Sequence, residues 1–199
     1  LVERSRARAA TRTSWLHPVK GHDVLVAALA RLRSTSLHPL TAFEVQIAGD
    51  GAERGKLQAA ISAAELTNVR LTGFESDPQR FLAGLHLYVQ PSRSEGLCIS
   101  VHEAMQAGLP SIVSAVGELP YSIHDGETGL VVPPGEPEAL CQALCWALTH
   151  PEHLAPMGLA ARARVMDRFG PAAFARAGAE VVARLPVSSA KIQAGGPGL

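Results

Sequence analysis

The chain has 199 residues, enough for one α/β domain with a true core and too few for two. Lysine plus arginine and aspartate plus glutamate both number 18, so the formal charge is zero, and no basic face beyond Arg4, Arg6, Arg8 and Arg12 suggests a nucleic-acid partner. With 47% hydrophobic residues and 5% aromatics, the core must be built from Ala, Val, Leu and Ile, which suits parallel strands buried under small-faced helices.

Taken in chain order, residues 1–15 read as an irregular or degraded segment. The four arginines resemble a frayed, solvated end, and the stretch from Ala9 to Pro18 is a poor buried strand, fit at best for a sheet edge. From there apolar runs alternate with longer helical patterns. Strands are predicted at 43–48, 69–72, 85–90, 111–114 and 130–132, and helices at 21–33, 52–65, 78–83, 97–107, 137–149, 152–168 and 171–185. Gly108 and Pro110 stop the helix at 97–107, and Pro137 opens the next one. This alternation predicts one Rossmann-like, doubly wound parallel sheet over residues 16–185. Residues 186–199, rich in Ser, Gly and Pro, read as a disordered tail.

Cys141 and Cys145, four apart among leucines, read as core thiols, and with Cys98 they are too few for a disulfide framework. No apolar run is long enough to span a membrane and the start has no signal-peptide core, so a reducing cytoplasm is the expected compartment. No Asp-x-Asp occurs, which leaves metal-clamped diphosphate chemistry without its ligands. Gly49-x-Gly51 hints at a dinucleotide fingerprint, but Arg54 stands at its third position and disfavours a nicotinamide-dependent oxidoreductase.

The densest constellation is residues 91–110, Pro-Ser-Arg-Ser-Glu-Gly-Leu-Cys-Ile-Ser-Val-His-Glu-Ala-Met-Gln-Ala-Gly-Leu-Pro. It follows a buried strand and opens a helix, so free amide groups around Gly96 to Ile99 and the helix dipole would favour a diphosphate. Glu95 is expected at the helix mouth, with Glu103 on the order of 12 Å further along the axis, a spacing for two ends of one elongated ligand.

Glu-x7-Glu followed by Ala-Met-x-x-Gly-x-Pro resembles the signature of the group 1 glycosyltransferases (family 4). The flanks extend the likeness over roughly residues 16–185, through Leu16-His17-Pro18-Val19-Lys20-Gly21, Ile47-Ala48-Gly49-Asp50-Gly51, Val69-Arg70-Leu71-Thr72-Gly73-Phe74 and Asp125-Gly126-Glu127-Thr128-Gly129. The resemblance implies the C-terminal, donor-binding half of the two-domain GT-B architecture. It implies transfer from a nucleotide diphosphate sugar with retention of configuration, without metal or cofactor. Glu95 would lie at the sugar, Glu103 at the ribose hydroxyls, and Lys20 with the Gly96, Leu97 and Cys98 backbone at the diphosphate.

Three departures stand out. Where the family has Gly-Arg, this chain has Ser14-Trp15, so a diphosphate-binding guanidinium is missing from that position. Glu118 and Tyr121 replace a usual glycine and glutamate. The acceptor domain that precedes this half in the family is not encoded in these residues. A non-catalytic nucleotide-sugar-binding module, or a truncated fragment, is therefore the alternative. The open donor face, with Leu97, Leu119 and Tyr121 expected as an apolar patch, is expected to recruit an acceptor-domain partner or to self-associate. A full-length enzyme could in addition sit at the periphery of a membrane.

Overall fold

The computed structural model describes residues 7–35 and 43–184. Six strands form one parallel sheet: β1 (Ala7–Trp15), β2 (Phe43–Asp50), β3 (Val69–Gly73), β4 (Leu87–Gln90), β5 (Ser111–Ser114) and β6 (Gly129–Val132). Their spatial order is β3-β2-β1-β4-β5-β6. The order reverses between β1 and β4, and this switch point is where ligands bind in open α/β sheets, at the carboxyl ends of the strands.

The helices are α1 (His22–Ser34), α2 (Arg54–Ala63), α3 (Pro78–Ala83), α4 (Ile99–Gln106), α5 (Leu119–Ser122), α6 (Pro137–Thr149), α7 (Pro151–Phe169) and α8 (Pro171–Arg184), with a 3₁₀ turn at Pro18–Lys20 ahead of α1. They cover both faces of the sheet. One core joins Ala9, Val45, Ile47, Val89 and Ile112 to the apolar sides of α1, α2 and α6. The other joins Ala10, Tyr88 and Val113 to Leu82 of α3, Val101, Ala104 and Met105 of α4, Leu119 of α5, and Ala161 and Val165 of α7. Adjacent residues Ala9 and Ala10 serve opposite cores, as the period-2 geometry of a strand requires. Cys141 is buried in the first core and Cys145 packs against it, as core thiols should.

The N-terminal expectation is corrected. Residues Ala7–Trp15 are neither irregular nor at an edge: they are a central strand, pairing with β2 from Ala7↔Phe43 to Trp15↔Asp50 and with β4 at Ala9↔Leu87 and Ala10↔Tyr88. Arg8 and Arg12 belong to this strand and are not part of a frayed end. Small residues suffice because helices approach closely on both sides: Ala10 and Thr11 have no exposed surface. The ladder itself uses backbone groups that any side chain leaves available.

The chain divides after Val165 into two compact units, and β1 brings the start of the sheet to Ala7, ahead of the expected 16. In the second unit α8 has no buried residue. The tail expected at 186–199, and Arg4 and Arg6, lie outside the described residues. Among the described residues no helix is long and apolar enough to cross a membrane.

Candidate functional site

A cleft of about 560 Å³ opens at the switch point, and Arg12, Lys20, Gln90, Glu95, Glu103 and the 96–100 segment all line it. Each predicted site residue (Lys20, Glu95, Gly96, Leu97, Cys98, Glu103) is therefore brought to one place. Lys20 comes from the 3₁₀ turn, whose entry is fixed by the His17 side chain accepting from the Val19 amide and whose exit is Gly21 at φ 65°. A Cβ on Gly21 would come within 1.9 Å of the Pro91 carbonyl oxygen, so only glycine lets this turn press against the loop after β4.

The loop after β4 carries Glu95. The α4 helix begins at Ile99 with Cys98 as its N-cap in a non-helical conformation, φ 28° and ψ 74°. The expected helix at 97–107 is therefore shorter, and Glu95 lies in the loop before it, so the axial distance expected from one continuous helix does not apply. Bent back in this way, the Glu95 carboxylate is 7% exposed and accepts from Lys20 Nζ at 2.8 and 3.0 Å, from Ser92 Oγ at 2.7 Å and from Gln90 Nε2 at 3.2 Å. A buried carboxylate is tolerable when it is paired and hydrogen-bonded in this manner. Gly117, at φ 54°, supports the loop from below: a Cβ there would lie 2.0 Å from the Glu95 carbonyl oxygen.

Glu103 projects from α4 and pairs with the guanidinium of Arg12 at the carboxyl end of β1. The backbone of Arg12 is fixed by the fully buried Tyr88, whose hydroxyl accepts from the Arg12 amide at 3.1 Å and donates to the Arg12 carbonyl at 3.0 Å. Burial, the main influence on this phenol, pushes its pKa upward and keeps it a neutral donor. His102, the neighbour of Glu103, lies 2.9 Å from Ser122 Oγ through its buried Nε2, tying α4 to α5. Burial also raises the pKa of the Cys98 thiol, which is consequently a weak nucleophile.

Sequence reasoning placed Arg12 in a frayed end and gave Gln90 no role. The spacing that could have found Arg12 is the strand alternation: Ala10 and Arg12 share one face, and Arg12 stands where that face reaches the sheet's carboxyl edge. Trp15, which stands where the family has arginine, is 61% exposed and does not line the cleft. Glu118 is exposed and likewise outside it. Leu119, expected in an exposed apolar patch, is 1% exposed and belongs to the core under α5, whereas Leu97 and Tyr121 are exposed at 49% and 64%. The short helix α5 turns Leu119 inward, a periodicity four residues are too few to reveal.

The profile described as "Glycosyl transferases group 1" matches residues 10–150. Among curated proteins, the chain is 38% identical over 134 residues to the D-rhamnosyltransferase WbpZ of Pseudomonas aeruginosa, covering 65% of this chain and 35% of that protein. It is 30% identical over 174 residues to a D-inositol 3-phosphate glycosyltransferase of Streptomyces scabiei, covering 83% and 39%. The chain thus spans well under half the length of these relatives. The fold superposes on Anabaena HepE, solved with UDP and glucose, with a TM-score of 0.79 at 23% identity over 91% of this chain and 49% of that one. It also superposes on the C-terminal domain of the group 1 protein LpcC of Francisella tularensis with a TM-score of 0.73 at 18% identity, covering 83% and 88%. The cleft at the β1–β4 switch, the Glu95–Glu103 segment and a family profile that spans most of the described sheet lead to one assignment: the chain belongs to the group 1 glycosyl transferases.

Proposed function

We propose that this chain binds a nucleotide diphosphate sugar as the donor half of a retaining, metal-independent glycosyltransferase. The observation that carries the reading is the convergence of Lys20, the Gly96–Cys98 backbone leading into α4, and Glu103 on one cleft. The first turn of α4 offers amides without intrahelical acceptors, and its dipole favours negative charge. Lys20 adds a cation, so the charge that develops on a leaving diphosphate meets fixed donors without an ion. Glu103 accepts from ribose hydroxyls. Glu95, held by Lys20, Ser92 and Gln90, faces the sugar end. The likeness in fold to HepE, solved with UDP and glucose, supports a nucleotide-sugar ligand. We place the acceptor in a separate domain or subunit that closes over the rim where Leu97 and Ile99 are exposed. No cofactor is needed by this scheme, and a cytoplasmic setting fits its nucleotide-sugar substrate.

Calorimetry with UDP, GDP and ADP tests the reading. One of them should bind, and Glu103→Ala should weaken it by roughly tenfold or more, the scale of a hydrogen bond to a charged group. Absence of heat with all three at millimolar ligand would refute the donor-site assignment. The exposed Trp15 favours a second reading, a module that binds the nucleotide sugar without turning it over. In that case binding would persist with no release of free sugar.

A further inference from the structure

The cleft holds two cations, and in the resting structure each is already engaged by a carboxylate, Lys20 by Glu95 and Arg12 by Glu103. The two pairs differ. Glu95 keeps two further donors, Ser92 and Gln90, if Lys20 turns away. Among the described residues, Glu103 and Arg12 have no comparable support. The Arg12 side chain is 14% exposed, one terminal nitrogen binds Glu103, and its Nε is buried with no hydrogen-bond partner. A buried donor left unsatisfied is costly, so this guanidinium is stable where it stands only in part. Its backbone, by contrast, is anchored at both N–H and C=O by the Tyr88 hydroxyl. The arm can therefore rotate about a fixed Cα.

We infer that Arg12 is the guanidinium that grips the diphosphate in this chain, stored on Glu103 until the nucleotide arrives. The inference rests on the reading of the cleft as a nucleotide-sugar site. Ribose hydroxyls donating to Glu103 displace Arg12 from the carboxylate, and the phosphate covalently attached to that ribose presents acceptor oxygens to the displaced fork. Both exchanges happen in one rotation, because ribose and phosphate are neighbours in the ligand. The planar fork of arginine matches two phosphate oxygens, and the Nε that lacks a partner at rest gains one. Trp15, outside the cleft, takes no part. The resting pair thus holds the carboxylate and the cation in mutual reserve for the two halves of one ligand, the diol and the diphosphate.

The test compares each nucleoside diphosphate with its own nucleoside: UDP with uridine, GDP with guanosine, ADP with adenosine. Diphosphate affinities come from calorimetry and nucleoside affinities from ligand-observed NMR. Arg12→Met keeps the apolar stem and removes the charge. It should weaken the bound diphosphate on the order of tenfold to a hundredfold, while its nucleoside binds as well or better, Glu103 being vacant. Arg12→Lys should fall between wild type and Arg12→Met for the diphosphate, with a steeper salt dependence than the methionine variant. Circular dichroism confirms folding; if Arg12→Met does not fold, the lysine variant decides, through a diphosphate loss larger than its nucleoside loss. Equal losses for diphosphate and nucleoside would show a purely structural tie between β1 and α4 and overturn the inference. An unchanged diphosphate affinity in Arg12→Met would overturn it as well, while leaving the donor-site reading intact. A wild-type chain that binds none of the three diphosphates removes both.

Discussion

At the scale of single residues, burial sets the charge state of one imidazole beside the Lys20 turn. His22, first in α1 and next to the glycine that carries the Lys20 turn, is 2% exposed, and its Nε2 has no hydrogen-bond partner. Burial is the main cause of its lowered pKa, from an ordinary 6.5 to about 4; Lys20 lowers it further and Asp23 opposes. The native imidazole is therefore neutral where the unfolded one already takes a proton. Stability is fully present above about pH 6.5 and drains away as the pH falls toward 4, by on the order of 3 kcal/mol. Asp23, whose carboxyl pKa is held down chiefly by its hydrogen bond from Arg93, contributes its own loss only below the ordinary carboxylate range. Urea unfolding at a series of pH values should show this decline in the wild type and a flatter profile in His22→Gln between pH 6.5 and 4. Parallel profiles would mean that His22 does not couple protonation to folding.

At the scale of elements, the loop that presents Glu95 is shaped by two glycines in neighbouring turns, Gly21 and Gly117. Both need a left-handed backbone, at φ 65° and 54°, and both touch carbonyl oxygens of that loop. Gly117→Ala should cost at least ~1–2 kcal/mol from backbone strain alone. The clash with the Glu95 carbonyl should also shift the loop and weaken nucleoside diphosphate binding by more than the stability loss explains. Thermal unfolding together with calorimetry would check this; a variant as stable and as tight-binding as wild type would show that the loop yields without consequence. The elements themselves were largely legible. The helices at 78–83 and 137–149 appear at their predicted limits, because a proline opens each, and the second also has a clear apolar face. What escaped were pieces whose form is decided by their neighbours. The strand β1 has alanines and arginines where a buried strand is expected to have Val and Ile, and only pairing on both sides makes it central. Of the candidate site, Lys20, Glu95 and Glu103 were legible through the family resemblance that their motifs carry. Arg12 lies outside those motifs: the strand alternation of Ala10 and Arg12 points to it only once residues 7–15 are known to form a central strand, which their composition does not announce.

At the scale of the whole molecule, the described residues supply one wall of the cleft. Proximity and orientation contribute several kcal/mol or more to bimolecular group transfer, and that contribution requires the acceptor to be held opposite the donor. The 199-residue chain assayed alone should show no acceptor-dependent transfer and at most slow release of sugar to water. Product analysis with labelled nucleotide sugars, with and without acceptors, measures this. Robust transfer by the purified chain would mean that these residues bind the acceptor too. The central place of β1 has a separate consequence, for the order in which the chain folds. Ala9 pairs with Val45 on one side and with Leu87 on the other. As these residues are synthesised, β1 has at most one of its two partners until β4 exists, and the sheet must close a loop of about two fifths of the chain, from Ala9 to Leu87, before its two halves meet. Such distant parallel pairing slows folding and leaves an open strand edge in the interval. In β1 that edge carries Arg8 and Arg12, charges that discourage a stray strand from pairing there before β4 does.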